Sequence, residues 1–221
     1  VGRDIVWQKD EKMKTLQSLT RLSRIGAARK RGVTLIEAVL YISIALALIV
    51  GGLVFFQQAS LAQRTNSAVR NISAIASETR ALYQASPDFA GFTQTTLIDA
   101  GAVPSSLVNG ANLQNEWGSP ITATAADVDG VANDGFEIVY ESVPTAACVR
   151  LASYDGQGSG RVGAGIDEVR FRAANAAAGA AFTALAAAAL VGGITPAEAA
   201  TACEANDDAS DLVDIQFRMD R

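Results

Sequence analysis

From Ala38 to Phe56 the chain runs nineteen residues without a charge. At 1.5 Å per residue that is about 29 Å of helix, one bilayer core. The flanks say how such a segment is used. Residues 1–32 carry nine Lys or Arg against three Asp or Glu, whereas residues 33–221 carry nine Arg, no Lys and twenty acids. The front is therefore about +6 and the rest about −11. A basic segment placed directly before an apolar run holds Arg29, Lys30 and Arg31 in the cytoplasm while the remainder is inserted or exported. That placement makes nucleic acid a poor partner for the basic end. A cleavable secretory signal would have a shorter apolar region and a small-x-small site behind it; here Gln57, Gln58 and Ser60 follow and the helical pattern continues. The apolar segment is expected to stay in the mature protein, and residues 1–32 to be a leader that is removed. Translation is expected to start at Val1 or at Met13.

Past the apolar run, Leu61, Ala68, Ile72, Ile75, Thr79 and Leu82 recur at helical spacing, with Arg64, Arg70, Glu78 and Arg80 on other faces. No proline interrupts Val33 to Ser86, so one helix of ~50 residues and ~80 Å is allowed, ending at Ser86-Pro87-Asp88. Its first half is apolar all round and needs lipid or copies of itself; its second half is one-sided and needs a globular head.

Residues 87–221 are expected to form that head. Strand-like runs lie at Ile121–Ala123, Phe136–Tyr140, Glu168–Arg172 and Val213–Met219, bounded by Gly, Asp, Asn or Pro. Pro144 to Leu151 reads as a short helix with proline in its first turn. Ala173 to Leu190 reads as a packed alanine-rich helix, striped by Phe182, Leu185 and Leu190. Thr195-Pro196-Ala-Glu198 is a capping-box start to a further helix. The fold class is α+β, a long N-terminal helix whose second half packs on an antiparallel sheet with short helices. Cys148 and Cys203 both fall in the exported part and would pair in an oxidising compartment, closing a loop worth roughly 4 kcal/mol. Two separate buried thiols are the alternative.

The stretch Arg29-Lys-Arg-Gly32-Val33-Thr-Leu-Ile-Glu37-Ala-Val-Leu, running into an uninterrupted apolar helix, resembles the prepilin cleavage motif of type IV pilins. The resemblance implies cleavage between Gly32 and Val33 by a prepilin peptidase on the cytoplasmic face, and N-methylation of the new Val33 amine. It also implies assembly into a helical filament driven by a separate platform and ATPase, with residence first in a bacterial inner membrane and then in an extracellular pilus. Gly32 has no side chain, so the peptide bond can enter a narrow protease site in an extended form. Glu37 is a lone carboxylate at the edge of a membrane segment. In the family the matching glutamate is thought to neutralise the Val33 amine of a neighbouring subunit. The bland reading is a Glu favoured by the helix dipole alone. Gly51-Gly52 reads equally as a close-approach or melting point and as ordinary transmembrane glycine.

The leader length, Val33 after the cut and the two cysteine positions resemble the type IVb group, which includes the toxin-coregulated and bundle-forming pilins. Asn115-Glu-Trp117-Gly118 resembles a turn in the pilins of conjugative thin pili. The leading expectation is the major subunit of such a pilus, used for adhesion, aggregation or mating contact. A minor pilin or a type II secretion pseudopilin is the alternative, and a signal-anchored periplasmic enzyme or receptor comes third. Against the last stand the lack of histidine and of any nucleophile motif. No cofactor or metal is expected. Asp127-Val-Asp129-Gly130-Val-Ala-Asn133-Asp134 lacks the ligand spacing of a calcium loop and reads as an acidic hairpin turn. Asp155-Gly-Gln-Gly-Ser-Gly-Arg161 lacks the Gly-Lys-Ser/Thr of a phosphate loop. Trp117 reads as a core or turn anchor.

Overall fold

The computed structural model describes residues 34–128, 130–155, 165–177, 179–184 and 193–221. Helix α1 spans Leu35–Leu82 as one unbroken α-helix. By internal contacts the chain divides into two units, one ending at Leu53 and one beginning at Val54. In the first unit the helix is exposed on every side: Leu35 is 84% exposed and Leu48 72%.

The second unit is the head, built around the amphipathic half of α1. Thr65, Ala68, Ile72, Ile75, Ala76 and Thr79 are buried. The two polar members satisfy themselves locally, because the Thr65 and Thr79 hydroxyls donate to the Leu61 and Ile75 carbonyls at 2.8 and 2.7 Å. Leu82, expected on this stripe, is 44% exposed. The helix stops there because the chain tightens: Gln84 N–H donates to the Ala81 carbonyl and Ser86 N–H to that of Tyr83. The Arg221 guanidinium then donates to the carbonyls of Gln84, Ser86 and Pro87, fastening the turn that follows the helix.

Seven strands form one antiparallel sheet: β1 (Val108–Asn109), β2 (Asn112–Gln114), β3 (Pro120–Ala126), β4 (Gly135–Pro144), β6 (Glu168–Ala173), β7 (Thr183–Ala184) and β9 (Leu212–Met219). Their spatial order is β1-β2-β3-β4-β9-β6-β7. A separate pair joins β5 (Tyr154–Asp155) to β8 (Gly193–Ile194). Each of the four expected strands is present and longer than its apolar run. Strand β4 reaches Pro144 across a register shift between Tyr140 and Val143. There Ser142 takes φ +50° and its N–H donates to the buried Asp214 carboxylate at 2.9 Å.

One face of the sheet supplies Ile121, Phe136, Ile138, Tyr140, Phe171, Ile215 and Phe217 to a single buried cluster with Ile72 and Ile75 of α1. Alternation along each strand puts polar residues on the other face. Arg218 of β9 bridges Glu168 of β6 at 3.0 Å and lies 3.9 Å from Glu137 of β4. Arg172 bridges Asp214 at 2.6 Å and stacks over Phe182 with 4.3 Å to the ring centre.

Helix α2 (Gln94–Asp99) is capped by the Thr93 hydroxyl, and α4 (Pro196–Ala205) opens on the expected capping box, with the Thr195 hydroxyl and the Glu198 carboxylate each accepting from the other residue's N–H. Helix α3 (Thr145–Ala152) begins one residue later than expected, with Pro144 at the cap position. The alanine-rich helix is corrected over the described residues. Ala173 completes β6, the chain turns at Gly179, whose φ of +85° breaks a helix, and Thr183–Ala184 pairs with β6 as a strand. Leu185 and Leu190 lie outside the described residues.

Cys148 of α3 and Cys203 of α4 form a disulfide, which settles the choice between paired and separate thiols. Both cysteines are fully buried, so the bond locks two short helices that are too brief to persist alone. Its 55-residue separation sets the expected effect. Cys148→Ala/Cys203→Ala should lower unfolding free energy by about 4 kcal/mol in denaturant titration of the oxidised and doubly substituted proteins. An unchanged midpoint would show that α3 and α4 are held by packing alone.

Candidate assembly surface

The first turn of α1 places Glu37 where the sequence positions it, at the end of the apolar helix. Its N–H lies 3.4 Å from the Thr34 hydroxyl, and its Oε1 accepts from the Tyr41 hydroxyl at 3.4 Å. Both contacts are long, the side chain is exposed, and among the described residues Glu37 has no ion-pair partner. The N-terminal helix dipole favours the charge but leaves it available. Gly32 and Val33 lie outside the described residues.

From Leu35 to Phe56 every large apolar side chain is about half exposed or more, with Phe55 at 72% and Phe56 at 69%. A helix that is apolar all round is stable only inside a membrane or among other helices. A Cβ added at Gly51 or Gly52 would meet nothing within 4 Å, and α1 passes through both without a break. Packing within the chain does not require this glycine pair.

A second feature of the surface was not legible as a site. The Asn115–Ser119 turn is held from inside: the Asn115 carboxamide oxygen accepts from the N–H groups of Trp117 and Ser119 at 3.0 and 2.9 Å, and its amide donates to the Glu141 carbonyl at 2.8 Å. Gly118 at φ +92° completes the bend. The Trp-Gly landmark is thus a rigid corner, with Trp117 half-buried against the core. That corner carries Glu116 toward α1, where Asn71 Nδ2 donates to Glu116 Oε1 at 2.6 Å.

The other oxygen, Oε2, is buried with no hydrogen-bond partner among the described residues, as are the Trp117 Nε1 and the Tyr140 hydroxyl. Burial raises the Glu116 pKa above its ordinary value, against the pull of the Asn71 hydrogen bond. Burial, and then the Glu116 charge, push the Tyr140 phenol well above its ordinary value. The carboxyl lines a cleft of about 300 Å³ with Ser67, Arg70, Asn71, Ser106 and Asn115.

Residues 62–214 match the family model described as PilS N terminal. The chain belongs to this family. It is a type IV pilin. Of curated relatives, the major structural subunit of bundle-forming pilus from Escherichia coli O127:H6 is 26% identical over 184 residues, covering 80% of this chain and 90% of that protein. The protein of the same description from Escherichia coli O111:H- is 26% identical over 180 residues, covering 80% and 90%. Among solved structures, the type IVb pilin from Salmonella typhi matches at 23% identity and a TM-score of 0.46, over 69% of this chain and 97% of its own. TcpA, a type IV pilin from the Vibrio cholerae El Tor biotype, matches at 14% identity and 0.49, over 71% and 98%.

The raised pKa of Glu116 fixes the sign of one pH effect in this pilin. The folded head holds the proton more tightly than the unfolded chain does. The resulting stability is complete below the unfolded carboxylate pKa and is lost as pH rises through the folded value. Glu116→Gln keeps an oxygen for Asn71 and removes the buried charge. The variant should be more stable than the parent at neutral pH, with the difference vanishing in acid, when thermal midpoints are compared across pH 4 to 8. Glu141, also raised by burial, remains in both proteins and cancels in the comparison. A pH-independent gap between the two would remove the carboxyl from this role.

Proposed function

We propose that this pilin is the major structural subunit of a type IVb pilus: processed, polymerised and displayed outside the cell, with no catalytic role. The observation that carries the reading is the helix that is apolar on every side from Leu35 to Phe56, with one carboxylate, Glu37, at its start. Family membership and the relatives named as major subunits of bundle-forming pilus support the same reading.

In this scheme residues 1–32 are a cytoplasmic leader, residues 33–86 the helix and residues 87–221 the exported head. A prepilin peptidase cuts between Gly32 and Val33, and the new amine is N-methylated. The cut converts the charge balance: it removes the basic residues that hold the N-terminus at the cytoplasmic face and leaves one cation, the amine, at the tip of the helix. Glu37 and that amine lie only four positions apart in the sequence, and neither charge is comfortable near hydrocarbon. Pairing the Glu37 of an incoming subunit with the Val33 amine of a neighbour neutralises both. It also sets the axial step at which helices stack.

Extraction from lipid is tolerable only if the apolar surface passes to other copies, each large side chain contributing about 1.5–3 kcal/mol when buried. Repetition of one head-to-tail contact with rotation and rise gives an open helical polymer. The work of extraction falls to an assembly platform and its ATPase, for the chain has no nucleotide-binding motif of its own. The filament serves adhesion, aggregation or mating contact.

Mass spectrometry of sheared filaments tests the processing: the mature chain should begin at an N-methylated Val33, and filaments built from chains that retain residues 1–32 would sink the proposal. Glu37→Ala should be cleaved normally yet yield at least tenfold less filament by electron microscopy and immunoblot of the sheared fraction, about 1.4 kcal/mol per subunit step. Normal filament yield would remove Glu37 from assembly.

A further inference from the structure

Glu116 has one buried carboxylate oxygen that nothing within the described head satisfies, and the residue forms part of the wall of the cleft. Arg70 lines the same cleft, but its guanidinium donates to the Ser67 hydroxyl at 3.1 Å and makes no ion pair with Glu116. A buried oxygen of this kind is matched best by a planar cation that reaches in with more than one N–H.

The cations available in another copy are few. After residue 33 the pilin has no lysine and no histidine, so apart from the terminal amine only arginine can serve. Of the described arginines, Arg80 is tied to the Gly165 and Asp220 carbonyls, Arg170, Arg172 and Arg218 to carboxylates, Arg221 to the end of α1 and Arg70 to Ser67. Arg64 and Arg150 are exposed and have no partner among the described residues.

These two stand in opposite electrostatic settings. Arg70 lines the Glu116 cleft, and Arg64 lies on α1 two turns before Asn71, so the stretch of helix that leads to the cleft carries two cations and no acid. Arg150 lies on α3, bonded through the disulfide to α4, where Glu204, Asp207, Asp208 and Asp211 follow. The Glu116 side of the head is thus rich in arginine and the α4 side rich in acids, and among the described residues neither Glu116 Oε2 nor the Arg150 guanidinium has a partner.

We infer that the Glu116 cleft of one subunit receives Arg150 of a second copy, with the acidic α3–α4 corner of that copy set against Arg64 and Arg70. This rests on the reading of the chain as a filament subunit, and adds a contact between heads to the burial of helices. The contact is heterologous, since cleft and guanidinium are different patches, so it repeats along a polymer instead of closing a pair. Charges at its rim steer approach and reject misoriented neighbours; the desolvated pair at its centre holds the register. Raising salt should weaken the rim far more than the buried pair.

A charge exchange tests it. Glu116→Gln, Glu116→Arg and Arg150→Glu are expressed in the full chain, with processed subunit and intact disulfide measured in the membrane fraction to report folding. Each single change should cut sheared filament by about tenfold or more, and Glu116→Arg/Arg150→Glu should restore at least half. In parallel, a benzophenone amino acid at position 150 of assembled filaments should crosslink to a neighbouring subunit within residues 67–71 or 106–116. Undiminished filaments from Glu116→Gln and Arg150→Glu would overturn the inference, as would crosslinks only within one chain or to other segments. If the parent chain forms no filament, the subunit reading itself falls and takes the contact with it.

Discussion

Among the described residues, nothing covers the first half of α1. Everything else about the molecule follows from that deficit. A helix exposed on every apolar side is acceptable in lipid, and the asymmetry between nine basic residues before it and a net negative chain after it fits membrane anchoring. The second half of the same helix has the opposite problem and solves it locally, burying Ala68, Ile72 and Ile75 beneath the sheet. One continuous element thus carries two contrasting solvent demands, and the one carboxylate of its apolar half, Glu37, stands at the end where the demand is most severe.

The head reads as a device for keeping that helix attached to something soluble. Its connections to α1 are specific as well as apolar. Arg80 lies over the Phe136 ring while donating to the Gly165 carbonyl at 2.7 Å, Arg221 ties the helix end, and Asn71 holds the Glu116 corner. The Arg80 and Asn71 bonds are half-buried, so rotation of the helix within the head would cost those groups their partners where water does not freely replace them.

Much of this was readable from residues. The apolar run, the stripe that follows it, the capping box at Thr195 and the four main strands are local patterns, and local patterns survive folding. What could not be read depends on distant segments. The alanine-rich stretch has high helix propensity, but Ala173 pairs with Val213 forty residues away, and strand pairing overrides propensity there. Short strands β1, β2, β5, β7 and β8 are two or three residues long and leave no periodicity to detect. Leu82 fits the stripe by spacing but falls where the helix ends. Glu116 belongs to a turn by sequence, yet its role depends on Asn71, 45 residues earlier and linked to it only through the fold. A signal did exist: an acid between Asn115 and Trp117, in a turn that buries its neighbours, is a poor candidate for a solvated charge.

The strand that comes last in the described chain, β9, sits at the middle of the sheet, between β4 and β6. It contributes Val213, Ile215, Phe217 and Met219 to the core, and Arg218 and Asp214 to the ion pairs of the outer face. Until it arrives, β4 and β6 have no common partner and α1 has only part of a floor. On the proposed export route the head emerges α1 first and β9 last. The topology therefore delays cooperative folding until translocation is nearly complete, keeping the passing chain threadable and leaving its earlier strands dependent on chaperones or on the membrane surface while they wait.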